Sequence, residues 1–140
     1  MPDEVALLVA DVFELAGLLR RSGDAVAARE GQTQARWQLL SVIGDEALTV
    51  PQAARRLGIT RQGIQRVAND LATERLIEFR DNPDHQTSAL LVLTRSGRHT
   101  LAAITEQAAH DNQRLAEALG ARRLRATRDG VRQMIDALRS

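Results

Sequence analysis

Residues 48–71 read Leu-Thr-Val-Pro-Gln-Ala-Ala-Arg-Arg-Leu-Gly-Ile-Thr-Arg-Gln-Gly-Ile-Gln-Arg-Val-Ala-Asn-Asp-Leu, two short amphipathic segments that meet at a glycine. Thr49 is placed to cap the first segment, and Pro51 falls in its first turn, where a missing N–H costs nothing. Ala53, Ala54 and Leu57 give that segment one apolar face. Gly58 follows directly and suits a left-handed C′ position, with Ile59 expected to plug the turn. Thr60 is a second N-cap. Ile64, Val67, Ala68 and Leu71 then recur at helical spacing as a buried stripe. The opposite face carries Arg61, Gln62, Gln65, Arg66 and Asn69.

This is the pattern of a helix-turn-helix whose second helix offers long donor side chains near its N-terminus, where a recognition helix meets base edges. Arg can donate two hydrogen bonds to one guanine, and Gln or Asn can pair twice with one adenine. Between Gln52 and Asn69 there are four arginines and no acid. An ordinary helical hairpin with a solvated face would share the periodicity. Small alanines at the crossing, glycine in the turn and donors without acids favour DNA.

Working outward, the chain supplies the other parts of a winged fold. Upstream, Val5, Leu8, Val9, Val12, Leu15, Ala16 and Leu19 recur at three and four, so residues 3–29 are predicted as one long helix. A helix this apolar needs a partner, either the core or another chain. Thr33 can cap a second helix to about Ile43, with Trp37, Leu40 and Ile43 on one side. Downstream, Leu76 to Arg80 alternates as a strand, with Ile77 and Phe79 on one face. Asp81-Asn82-Pro83-Asp84 is turn chemistry, and Ala89 to Leu93 has strand composition. Two strands around a polar loop, directly after a recognition helix, make a wing. Thr94 caps a third long helix that stops at Gly120, and a last helix runs from about Arg122 to Leu138. The predicted class is mainly α with a small β-hairpin: a winged helix-turn-helix with long N- and C-terminal helices.

The length of 140 residues suits one compact domain with an appended helical arm. The aromatic residues are Phe13, Trp37 and Phe79, so aliphatic and alanine packing must hold the core. There is no cysteine, which removes disulfides, thiolate metal sites and thiol redox sensing. No signal-like N-terminus and no apolar run near about 18 residues is present, so a soluble cytoplasmic protein is expected. Net charge is only +1, and its distribution is more informative. Residues 1–50 hold 4 arginines against 8 acids, whereas residues 51–98 hold 8 against 5. Every cation is Arg, the better residue for bidentate phosphate and base contacts.

Catalytic and metal chemistry find little support. His99 and His110 return to nearly one helix face but lie ~16 Å apart along it, too far to share a metal. There is no Gly-rich phosphate loop, no Gly-x-Ser-x-Gly and no placed acid–base pair. The expectation is a protein without enzymatic activity and without a cofactor.

The sequence resembles the MarR family of bacterial transcriptional regulators. The resemblance rests on Leu48-Thr49-Val50 leading into Ala53-Ala54-Arg55-Arg56-Leu57-Gly58-Ile59, on residues 71–77, and on Asn82-Pro83 with Leu93-Thr94-Arg95-Ser96-Gly97. It implies a homodimer, with residues 1–32 and 95–140 as dimerisation helices around a DNA-binding domain at 33–94. It further implies binding to a pseudo-palindromic operator, commonly as a repressor released by a small aromatic or phenolic effector. That effector crevice would lie near Trp37, Leu40 and the start of the helix after Thr94. Expected major-groove contacts are Arg61, Gln62, Gln65 and Arg66, with Thr60 capping the helix or touching phosphate. Arg55, Arg56 and Arg80 are expected at phosphates, and His85, Gln86 and Thr87 at the wing. The family wing usually carries an Asp-Arg-Arg-like run; here those positions are His85, Gln86 and Thr87, without a permanent cation. Two rival readings follow: a winged-helix dimer that serves as a protein-interaction module, and a DNA binder without small-molecule control.

Overall fold

A computed structural model describes residues 2–84 and 87–140. The chain divides into two compact units, residues 1–105 and 106–140. The first unit opens with α1 (Glu4–Ala28), capped by Asp3, whose carboxylate accepts from the Val5 and Ala6 amides at 2.9 and 3.2 Å. Beyond Ala28 the chain turns at Gly31, which takes φ +72°, while the Gln32 amide donates back to the Ala27 carbonyl at 2.9 Å. That six-to-one bond is the Schellman closure a left-handed glycine allows. Thr33 then caps α2 (Gln34–Asp45) through the Arg36 amide.

The helix-turn-helix follows the expected chemistry. Thr49 caps α3 (Val50–Leu57) in a full capping box: its hydroxyl accepts from the Gln52 amide, and the Gln52 side chain accepts from the Thr49 amide. Gly58 adopts φ +67° and the Ile59 amide closes the turn on the Ala54 carbonyl. Thr60 caps α4 (Arg61–Thr73) by accepting from the Gly63 amide at 3.0 Å. Ile59 does not plug the turn: it is 38% exposed. It lies over Gly63, where any Cβ would sit 3.1 Å from the Ile59 side chain.

The sheet holds one strand more than the predicted hairpin. β1 (Leu48–Thr49), β2 (Ile77–Arg80) and β3 (Leu90–Leu93) form an antiparallel sheet in the order β1-β3-β2. Leu48 faces Leu91, and Ile77 and Phe79 face Leu93 and Leu91 across the other edge. A two-residue strand has no period to detect, and Thr49 serves both as its second residue and as the N-cap of α3.

The core of this unit lies where α2, α3, α4 and the sheet converge. Leu39, Leu40, Ile64, Leu71, Ile77 and Leu91 are essentially fully buried there, each stabilising by about 1.5–3 kcal/mol relative to exposure. α1 contributes little: its buried residues are Gly23, Val26 and Ala27. Val5, Leu8, Val12, Leu15 and Leu19 remain exposed along it. α5 (Arg95–Leu119) begins in this unit, with Thr94 capping it through the Gly97 amide at 3.0 Å. In the second unit Gly120, at φ +82°, separates the end of α5 from α6 (Ala121–Arg139). α6 has no buried residue, and Leu124, Val131 and Leu138 are exposed along it.

Candidate nucleic-acid interface

The exposed side of α4 is a row of donors. Arg61, Gln62, Gln65, Arg66 and Asn69 are all exposed, opposite buried Ile64, Ala68 and Leu71. The 3.6-residue period puts the two sets on opposite faces without a crossing residue. Among the described residues Arg61 and Arg66 make no ion pair, so both guanidiniums keep all their donors. The Gln65 amide nitrogen donates to the Asn69 Oδ1 at 2.9 Å. This leaves Gln65 one N–H and its Oε1, the pair an adenine edge requires.

Beside α4 runs a cleft of about 480 Å³, bounded by α3, α4 and the wing. It is lined by Arg61, Gln62 and Gln65 of α4, Val50 and Pro51 of α3, Phe79 of β2, and Thr87 and Ser88 ahead of β3. Phe79 was expected with Ile77 on the apolar face of its strand. Ile77 is buried, but Phe79 is 42% exposed, because the core has ended at that point and the cleft has begun. Its role as a wall was not legible from alternation alone, since period 2 assigns a face and not a depth.

The remaining expected contacts differ in their charge state. Arg55 is exposed with no ion pair among the described residues. Arg56 pairs with Glu46 at 3.2 Å, and Arg80 with its strand neighbour Glu78 at 3.2 Å, all four side chains being more than half exposed. Exposed pairs of this kind contribute ~0–1 kcal/mol and exchange readily for a phosphate. Thr60 spends its oxygen on the cap, leaving its O–H proton to donate. Thr87 is exposed at the cleft. His85 and Gln86 lie outside the described residues.

The residues expected at an effector crevice do not share a surface. Leu40 is fully buried in the core and offers no face to a ligand. Trp37 is half-buried and lines an open groove of about 350 Å³ with Gln34, Gln38, Ser41, Val42, Asp45 and Leu57. One turn of α2 separates Trp37 from Leu40, yet the first borders the groove and the second lies in the core cluster. Among the described residues, no group of three or more His, Asp or Glu side chains could hold a metal, and no helix is long and apolar enough to cross a membrane.

Comparison with known proteins agrees with this fold. A MarR family model matches residues 31–86. An uncharacterized protein of Mycobacterium tuberculosis is 69% identical over 140 residues, covering 100% of this chain and 98% of its own. Among solved structures, the PcaV transcriptional regulator of Streptomyces coelicolor, in complex with its natural ligand, superposes with a TM-score of 0.74 at 23% identity, covering 89% of this chain and 91% of its own. A mutant MarR of E. coli complexed with operator DNA gives 0.75 at 16% identity, covering 95% and 99%. At such identities the structural likeness concerns the fold. The family match spans the helix-turn-helix and the first wing strand, and the chain belongs to the MarR family of winged helix-turn-helix DNA-binding transcriptional regulators.

Proposed function

We propose that the protein works in the cytoplasm as a homodimeric repressor that reads a pseudo-palindromic operator in double-stranded DNA. In this reading residues 1–32 and 95–140 serve dimerisation and residues 33–94 serve DNA. α4 enters the major groove, with Arg61, Gln62, Gln65 and Arg66 at base edges. Arg55, Arg56, Arg80 and the Thr60 hydroxyl meet phosphates, and His85, Gln86 and Thr87 form the wing contact. The observation that carries it is the acid-free row of exposed donors on α4, with both arginines unpaired among the described residues. Two such helices in a symmetric dimer meet half-sites about one helical turn, ~10 bp, apart.

The test is a titration of the DNA flanking its own gene, from 50 to 200 mM salt. Affinity is expected to fall steeply, because neutralised phosphates release counterions. Arg61→Ala and Arg66→Ala are each expected to cost about 1–3 kcal/mol if they read bases, whereas a phosphate contact would lower the salt slope by about 1. A flat salt response with both variants unaffected sinks the reading and favours the protein-interaction alternative.

The effector belongs to this proposal too. The PcaV regulator is described with its natural ligand, and the groove beside Trp37 has the scale of a small-molecule site. We assign a small aromatic or phenolic compound to it, without Leu40. Trp37 is the chain's single tryptophan, so any ligand that dissociates the DNA should change its fluorescence. Dissociation with an unchanged spectrum would place the ligand elsewhere.

A further inference from the structure

The acid-free run that marks the recognition helix stops at Asn69; Asp70 and Glu74 come next, one turn apart. Both acids sit at the carbonyl end of α4, where the helix dipole already concentrates negative charge. No basic residue lies in the last turn of α4 itself. The compensation comes from another element. Arg36 of α2 reaches across with Nη1 donating to Glu74 Oε2 at 2.8 Å and Nη2 to Asp70 Oδ2 at 3.4 Å. The second Glu74 oxygen accepts from Gln32 Nε2 at 3.2 Å. Gln32 is only 6% exposed, and its backbone amide closes the end of α1 on Ala27. Both oxygens of Glu74 are therefore occupied, one by α2 and one by the α1–α2 turn.

We infer that Arg36 and Gln32 are positioning residues for DNA recognition, which fix the far end of α4 and so aim its donor row. This rests on the reading of α4 as the groove-entering helix. Asp70 and Glu74 lie nine and thirteen residues beyond Arg61, so the clamp acts ~14–20 Å along the helix from its first base-reading side chain. The helix is held between two fixed points, the buried stripe of Ile64, Ala68 and Leu71 and this clamp. Releasing the clamp leaves the stripe intact and frees the helix to rock about it. A recognition site tolerates about 0.5 Å of misplacement, which a tilt of about 5° exceeds over the ~10 Å from Ala68 to Arg61. Arg36 is suited to the task because one planar guanidinium presents N–H groups in fixed directions to two carboxylates on different turns, whereas an ammonium on a flexible stem holds them with less definite geometry.

The clamp differs from an ordinary stabilising ion pair in what its loss should change. Arg36, Asp70 and Glu74 are 25%, 50% and 40% exposed, a range in which ion pairs add little to folding stability. The loss should therefore fall on aim, and aim is read by the ratio of operator affinity to affinity for unrelated DNA of equal length. A contact that merely adds or removes charge shifts both affinities together.

Arg36→Met, Arg36→Lys and the paired Asp70→Asn/Glu74→Gln change are compared with the unaltered protein and with Arg66→Ala. Arg36→Met is expected to lower the operator-to-random ratio about tenfold, with a thermal midpoint near that of the parent. Arg36→Lys is expected to recover only part of that loss, and the doubly neutralised variant to lower the ratio as well, although it removes two charges that repel phosphates. An unchanged ratio in Arg36→Met, or full recovery in Arg36→Lys, overturns the inference while Arg66→Ala still weakens the complex. If the unaltered protein shows no operator preference, the reading of α4 fails first and the clamp with it.

Discussion

With Leu8 and Leu15 both replaced by aspartate, the protein should run as a folded monomer, and its operator affinity should fall by about 10²–10⁴-fold. The expectation starts from the exposure of α1. Leu8 is 44% and Leu15 49% exposed, and Val5, Val12 and Leu19 continue the same stripe. A contiguous exposed apolar stripe is the surface on which a second copy of the chain is expected to pack in the proposed homodimer. These side chains lie outside the buried cluster formed by α2, α3, α4 and the sheet. Two carboxylates there leave that cluster unaltered, yet each would have to be desolvated against a second apolar helix, which is unfavourable by several kcal/mol for an unpaired charge. The loss of affinity then comes without any change in α4, because two linked recognition helices bind with an effective concentration that a single one lacks. Sedimentation velocity and operator titration on the same sample check both halves. A dimer with parental affinity would move the interface away from α1.

How much of this was legible in the sequence depended on distance along the chain. Thr49, Gly58 and Thr60 announce their roles locally, since caps and left-handed turns act within four residues, and each behaves as its chemistry requires. The donor face of α4 follows from period alone. β1 did not, because two residues carry no period and their partner, β3, lies about forty residues downstream. The clamp on α4 was equally hidden: Arg36 and Glu74 are 38 residues apart, and nothing in either one's neighbourhood points to the other. Its trace was nevertheless present, as two acids at the wrong end of a helix that is otherwise free of them. Trp37 and Leu40 show the opposite failure. Spacing three apart placed them on one side of α2, but burial separates them, one into the core and one toward a groove.

The same contrast between local signature and distant cause governs the second large effect. Gly97→Ala is expected to destabilise the fold by about 3 kcal/mol and to lower its thermal midpoint by about 10 °C. Gly97 lies in the run Leu93-Thr94-Arg95-Ser96-Gly97, where sequence alone assigns only a cap. The structure supplies the reason for the glycine. Thr94 donates its hydroxyl proton to the Arg75 carbonyl at 2.8 Å, its amide to the Leu76 carbonyl at 3.1 Å, and accepts from the Gly97 amide at 3.0 Å. These bonds draw the first turn of α5 onto the backbone that leaves α4, where Arg75 turns at φ +63° and the Leu76 amide closes on the Leu71 carbonyl. A Cβ at position 97 would stand 1.9 Å from the Leu76 carbonyl oxygen. That obstacle is main chain, so no side-chain rotation relieves it. Either α5 lifts from Leu76, which breaks the Thr94 bonds, or Leu76 shifts and takes β2 and the end of the recognition helix with it. The added methyl should therefore weaken operator binding even in the fraction that remains folded. An unaltered thermal midpoint would show that the two backbones part without cost, and that the threonine, not the glycine, holds the junction.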